Sequence, residues 1–142
     1  MHKTPLLTVD CVVFNNDSVV LIHRGFEPFK NWYALPGGFV NIGESVEMAC
    51  LRELKEETGL EVEFQSLKLI GVYSKQDRDP RSHIVSIAFV CESNLDNLKA
   101  GDDAVAVEVI DDWMNKDLKI AFDHNKIIKD AWILNNMTKA TI

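Results

Sequence analysis

The sequence predicts a single domain of the α/β or α+β class, and three observations carry that prediction. The chain has 142 residues, a length that suits one hydrophobic core burying roughly 68–70% of the unfolded surface. Runs rich in β-branched residues alternate with two segments of helical periodicity. No internal repeat and no linker-like stretch divides them.

The elements follow in chain order. Residues 6–14 are apolar and β-branched, "NND" at 15–17 is turn chemistry, and 18–23 resume the apolar run, so the three predict a hairpin. "RGFEPFKNWYALPGG" reads as a loop punctuated by Pro28, Pro36 and Gly37–Gly38. A helix is expected to start after Ser45 as N-cap and to stop before Gly59, which stands where a left-handed residue is wanted. Residues 61–74 and 83–92 predict two longer strands joined by "KQDRDPR". "NLDNLKAGDDA" is a second polar loop, 105–110 a short strand, and "DDWMNKDL" a helical turn or irregular connector. A last helix is expected from Asp123 as N-cap, with Ile127, Ile128, Ala131 and Leu134 facing the core.

Charge and cysteine content exclude several classes. Fifteen Lys+Arg against 22 Asp+Glu leave a net charge of −7, which argues against a general nucleic-acid or anionic-membrane surface. A polyphosphate ligand stays open, because a bound divalent cation can reverse the local sign. No apolar run approaches the roughly 20 residues of a membrane span. "MHKTPLLTVDCVVF" carries one Lys and is interrupted by Asp10, unlike a signal peptide. Cys11, Cys50 and Cys91 are odd in number, far apart and in apolar settings, so they read as buried, reduced thiols of a cytoplasmic protein.

The first helix holds acids where its own pattern expects core. With Val46 at zero and about 100° per residue, Ala49, Cys50 and Leu54 centre an apolar stripe near zero, while Glu53 falls at about 340° and Glu57 at about 20°. Glu56, at about 280°, lies on the margin and Lys55 lies opposite. Glu53 and Glu57 therefore stack one turn apart on the buried side. Unpaired carboxylates there would be costly. Either a cation meets them, or the helix edges a cleft with ordinary salt bridges. Arg52, at i, i+4 to Glu56, is expected to balance one acid only. Crowded carboxylate oxygens suit hard ions such as Mg²⁺ or Mn²⁺.

Upstream, Gly37, Gly38 and Gly43 free the backbone to turn beside the helix start, and Glu44 adds a further carboxylate. This is no Walker loop, and no G-x-G-x-x-G is present.

Gly38, five residues, Glu44, seven residues and then "RELKEETGL" from Arg52 to Leu60 resemble the Nudix box at every defined position. The resemblance implies a single domain over 1–142 with the box at 38–60, built as an α/β/α sandwich around a mixed central sheet. It implies a Mg²⁺- (or Mn²⁺-) dependent pyrophosphatase acting on a nucleoside diphosphate linked to another group, with more than one ion in the substrate complex. Glu53, Glu56 and Glu57 would then be metal ligands, with a Gly38 carbonyl joining them. Arg52 would orient a glutamate, and Glu44 would support the site.

The outer stretches "LPGGFV" with Phe39–Val40, "YSKQDRDPRSHIVSIAFV", "AGDDA" and "AFDHNKII" are similar to the ADP-ribose pyrophosphatase branch and to related ADP-ribose-sensing regulators. The implied reaction is ADP-ribose plus water giving AMP and ribose 5-phosphate. The metal ions would grip the pyrophosphate and lower the pKa of a water. The base is expected to be Glu53 or, by similarity to relatives with a late acidic loop, Asp103 with Asp102 as substitute. Gly-Asp-Asp is also ordinary turn chemistry.

Arg78 and Arg81 of "RDPR", and Arg24, are expected to contact substrate phosphate or ribose, since guanidinium binds phosphate bidentately. The alternative for each is a solvated basic loop. Phe39 belongs to the same substrate set. Phe26, Phe29, Trp32 and Tyr33 crowd the preceding loop, where packing is the stronger expectation and base stacking the weaker. His83 and His124 read as structural.

The expected partner is a small nucleotide, without nucleic acid or membrane; a homodimer follows by similarity to relatives of this branch. Two other readings compete: a nucleoside triphosphate or other nucleotide-sugar pyrophosphatase, and a sensor of ADP-ribose. The intact box glutamates favour turnover, and a sensor would need a DNA-reading domain, for which only a few residues follow the last expected helix.

Overall fold

The computed structural model describes residues 2–99 and 106–140. Seven strands form one mixed sheet: β1 (Leu6–Asn15), β2 (Ser18–His23), β3 (Tyr33–Ala34), β4 (Gly37–Phe39), β5 (Lys68–Tyr73), β6 (Ile84–Glu92) and β7 (Ala106–Ile110). Two helices, α1 (Val46–Thr58) and α2 (His124–Ala140), pack on it. β1 and β2 form the expected hairpin, and Asn16 takes the positive φ of 54° that the tight turn requires.

β1 is the axis of the sheet. It runs parallel to β6 along its whole length, from Leu6 opposite Ile84 to Phe14 opposite Glu92. Its other side is shared: β4 pairs with Thr8, Val9 and Asp10, and β2 with Phe14 and Asn15. β5 lies antiparallel beyond β6, and β7 and β3 pair with β2. Alternation along β1 sends successive side chains to opposite faces. Val9, Cys11 and Val13 pack with Ala49, Cys50 and Leu54 of α1. Val12 and Phe14 pack with Ile127, Ile128 and Ala131 of α2. The result is the expected helix–sheet–helix sandwich. A strand covered on both faces reads as a continuous apolar run; Asp10 is the exception.

The capping residues of α1 are where local chemistry puts them. Ser45 accepts from the Met48 N–H at 3.2 Å. Gly59 has φ 77° and donates to Lys55 O at 2.9 Å.

Four expectations are corrected. The proposed loop before the box contains β3 and β4, whose hydrogen-bond partners come from β2 and β1. Residues 61–74 are not one strand: a 3₁₀ turn over Phe64–Ser66 precedes β5, and Ser66 Oγ donates back to Glu63 O at 2.7 Å. Cys11 and Cys50, read as far apart, meet across the packed interface, where strand and helix bring their Cα atoms to 6.3 Å. Cys91 is free and buried, and burial raises its thiol to about 12. Finally, Asp123 precedes α2 as expected, but its carboxylate bonds Arg78. "DDWMNKDL" holds a 3₁₀ turn at Trp113–Asn115, with Trp113 buried. Among the described residues, no helix is long and apolar enough to cross a membrane.

Candidate active site

A pocket of about 430 Å³ opens beside the stretch of β1 paired with β4. Its walls bring together most of the residues singled out in the sequence: Arg24, Gly38, Phe39, Glu53, Glu56, Glu57, Arg78 and Arg81. Asp102 and Asp103 lie outside the described residues.

One wall is the acid stripe of α1. Glu57 accepts the Gly37 N–H at 2.9 Å, and the Glu53 and Glu57 carboxyls lie close enough to shift each other's titration. Burial pushes Glu57 up to about 8; the Gly37 N–H opposes this, while Glu53 and Asp10 add to it. Burial also raises Glu53, against the pull of Arg52. Glu56 is exposed, matching its place on the stripe's margin. Gly38 is pressed against this wall: a Cβ there would lie 2.5 Å from the carboxylate carbon of Glu53.

Arg52 does more than the expected pairing with one acid. Its Nε and Nη2 fork onto Glu44 at 2.7 and 3.0 Å, its Nη1 reaches Glu53 at 2.8 Å and Glu56 at 3.3 Å, and Nη2 also bonds Phe39 O at 2.9 Å. The five N–H donors of a guanidinium make this possible. Glu44, supplied by the preceding loop, fixes the guanidinium over the carboxylates.

Among the described residues, no three His, Cys, Asp or Glu side chains converge as a ready-made metal cage. The Glu53–Glu57 pair nevertheless fits a divalent cation. It is an all-oxygen, half-buried donor set whose mutual repulsion and burial disfavour charge, a cost that a hard cation would offset.

Another part of the lining is cationic and aromatic. The Arg24 guanidinium lies 4.9 Å from the Phe122 ring centroid, and that of Arg81 lies 5.5 Å from Phe122 and 5.8 Å from Phe39. Arg81 is braced by Asp79 at 2.7 and 3.0 Å, and Arg24 donates to Pro28 O at 2.7 Å. Burial and the like charge of Arg81 lower the pKa of Arg24. Two neighbouring guanidiniums and Glu53, Glu56 and Glu57 of α1 line one pocket, which is bipolar as a result. Arg78 also lines the pocket, where its guanidinium is bound to Asp123 at 2.7 and 2.9 Å and to Ile84 O at 3.2 Å.

Of the aromatic loop, Phe26 is exposed at the pocket mouth, while Phe29 and Trp32 pack with Phe122 or each other. Tyr33 donates to Glu108. His83 bonds Ser74 O at 3.0 Å, a structural role as expected. His124 is buried and also lines the pocket.

Two residues escaped the sequence reading. Asp10 is buried on the pocket floor, bonded to Ser86 and His124. Its signal was an acid inside an otherwise apolar strand. Phe122 carries both arginines, and nothing local marks it.

The NUDIX domain family matches residues 4–131. An ADP-ribose pyrophosphatase of Methanocaldococcus jannaschii is 51% identical over 130 residues, 92% of this chain and 75% of that protein. The NUDIX domain of Shewanella oneidensis NrtR, solved in complex with ADP ribose, superposes with a TM-score of 0.83 at 28% identity, over 92% of this chain and 88% of that one. A bifunctional NMN adenylyltransferase/ADP ribose pyrophosphatase of Francisella tularensis, solved with AMP and a Mn ion, gives a TM-score of 0.79 at 30% identity; this chain is covered to 90% but spans only 41% of that one.

Proposed function

Because the chain belongs to the Nudix family, we propose that it is a divalent-metal-dependent pyrophosphatase that splits ADP-ribose with water into AMP and ribose 5-phosphate. The observation that carries this reading is the bipolar pocket, whose lining joins the Glu53–Glu57 pair with the guanidiniums of Arg24 and Arg81. A diphosphate needs cationic partners, and the pocket supplies one set as guanidinium and the other as metal-ready carboxylate.

Glu53, Glu56 and Glu57 would hold Mg²⁺ or Mn²⁺, with Gly38 beside them. The bound metal would neutralise charge on the pyrophosphate and acidify a water. Arg52 holds Glu53 in position through the fork it makes with Glu44. Arg24 and Arg81 bind the phosphate oxygens as charge builds on the leaving group. Glu53 is the described candidate for the base, and Asp102 or Asp103 is the other. Phosphoryl chemistry asks chiefly for positioning and electrostatics, which suits a site of this composition. A relative 51% identical to this chain is itself an ADP-ribose pyrophosphatase, and a relative of known structure was solved in complex with ADP ribose.

Steady-state kinetics on ADP-ribose, NADH, diadenosine polyphosphates and dNTPs, with Mg²⁺ and with Mn²⁺, test the reading. ADP-ribose should give the highest kcat/KM. Fast pyrophosphate release from a dNTP with ADP-ribose untouched would replace it with the triphosphate reading.

A further inference from the structure

Asp10 adds to the pocket a fixed charge that hydrolysis of the diphosphate does not require. It shares one face of β1 with Thr8, and both residues line the pocket. Asp10 is 6% exposed. Ser86 Oγ donates to its Oδ2. The Leu35 N–H donates to His124 Nδ1 at 3.0 Å, which leaves the ring proton on Nε2, 3.3 Å from Asp10 Oδ1. Arg78 stands 3.9 Å away but is itself engaged by Asp123. Burial opposes the charge on Asp10, yet His124, Ser86 and Arg78 outweigh it and hold the carboxyl below the usual range.

A carboxylate offers about four acceptor positions, and Ser86 and His124 take one each. Gly37, opposite Asp10 in β4, has no side chain to cover the rest: a Cβ there would lie 2.8 Å from Oδ1. The pocket floor thus presents an ionised acceptor. A third phosphate placed against it would meet a like charge in a poorly solvated position. A hydroxyl would gain a charge-assisted hydrogen bond.

We propose that Asp10 is a specificity-determining residue that accepts hydrogen bonds from the hydroxyls of a sugar attached to the diphosphate and excludes a further phosphate from that place. This rests on the diphosphate being held among Glu53, Glu57, Arg24 and Arg81.

Asp10→Asn tests it, since the amide can still accept from His124 and donate to Ser86. Its kcat/KM for ADP-ribose and for ATP is compared with that of the unsubstituted protein, after a thermal melt shows both folded. The variant should lose roughly 10-fold or more on ADP-ribose, chiefly through KM, while its activity on ATP holds or rises. An unchanged ADP-ribose to ATP preference overturns the role of Asp10 and leaves the proposed reaction standing. A preference for ATP in the unsubstituted protein overturns both. Should the variant fail to fold, the unsubstituted protein is assayed on ADP-ribose and on the β-methyl ester of ADP, which lacks the terminal sugar and its hydroxyls. A lower KM for ADP-ribose, by roughly 10-fold, supports the assignment, and equal values overturn it.

Discussion

Both carboxylate oxygens of Asp123 accept from Arg78, at 2.9 and 2.7 Å, across 45 positions of sequence. The Arg78 side chain is 4% exposed and also donates to Ile84 O. The pair ties the "RDPR" loop to the start of α2, and so joins the cationic wall of the pocket to the helix behind it.

Removing Arg78 should therefore act on stability before it acts on catalysis. Arg78→Ala leaves Asp123 and the buried Asp10 without their cation, a class of change that costs about 3–5 kcal/mol. Urea denaturation should show a loss of that order. A variant of unchanged stability with a sharply raised KM would return Arg78 to the substrate contacts.

The raised Glu57 gives a pH dependence of definite sign. Folded, it keeps its proton up to about 8, against an ordinary value of 4.5. Between those values the unfolded chain binds fewer protons than the folded one, so stability falls as pH rises. Metal-free melts should show a falling midpoint over that window, and saturating Mg²⁺ should flatten it while protons are released. A flat metal-free profile would contradict the burial of this carboxyl.

Glu57→Gln separates stability from chemistry. The amide removes the unfavourable charge, so the metal-free protein should be at least as stable at pH 8. Turnover should nevertheless drop at least ~100-fold, as expected when a metal ligand is lost. Near-normal kcat at saturating Mg²⁺ would remove Glu57 from the site.

What could be read from sequence divides by range of interaction. Ser45, the acid-bearing stripe and Gly59 are local, and α1 appears between the expected caps. β3 and β4 did not show, because two or three residues carry no period and their pairing partners lie in β2 and β1. Arg78 and Arg81 both line the pocket, but the bond of Arg78 to Asp123 was not legible, because that partner sits in a distant segment. Asp10 registered only as a break in an apolar run. Its surroundings, Ser86, His124 and Gly37, come from three separate parts of the chain.

Arg52→Lys keeps one positive charge and loses the fork. An ammonium cannot span Glu44, Glu53 and Phe39 O together. kcat/KM should fall roughly 10–100-fold, as for other groups that orient a metal ligand, and the Mg²⁺ concentration for half-maximal rate should rise. Rates measured across a Mg²⁺ titration decide this; an unchanged titration would make Arg52 a surface pair only.

Gly38→Ala and Gly43→Ala form a matched pair. At Gly38 the added carbon would lie 2.5 Å from both the carboxylate carbon and Oε1 of Glu53, so the carboxylate must swing aside. A displacement of that size at a reacting centre costs roughly 100-fold in rate. At Gly43 the added carbon meets nothing within 4 Å, but φ is 85°. Only backbone strain follows, about 1–2 kcal/mol. Gly38→Ala should thus lose kcat with little change in unfolding, and Gly43→Ala should lose stability while keeping kcat. If both variants lose activity in proportion to stability, the contact between Gly38 and Glu53 has no catalytic weight.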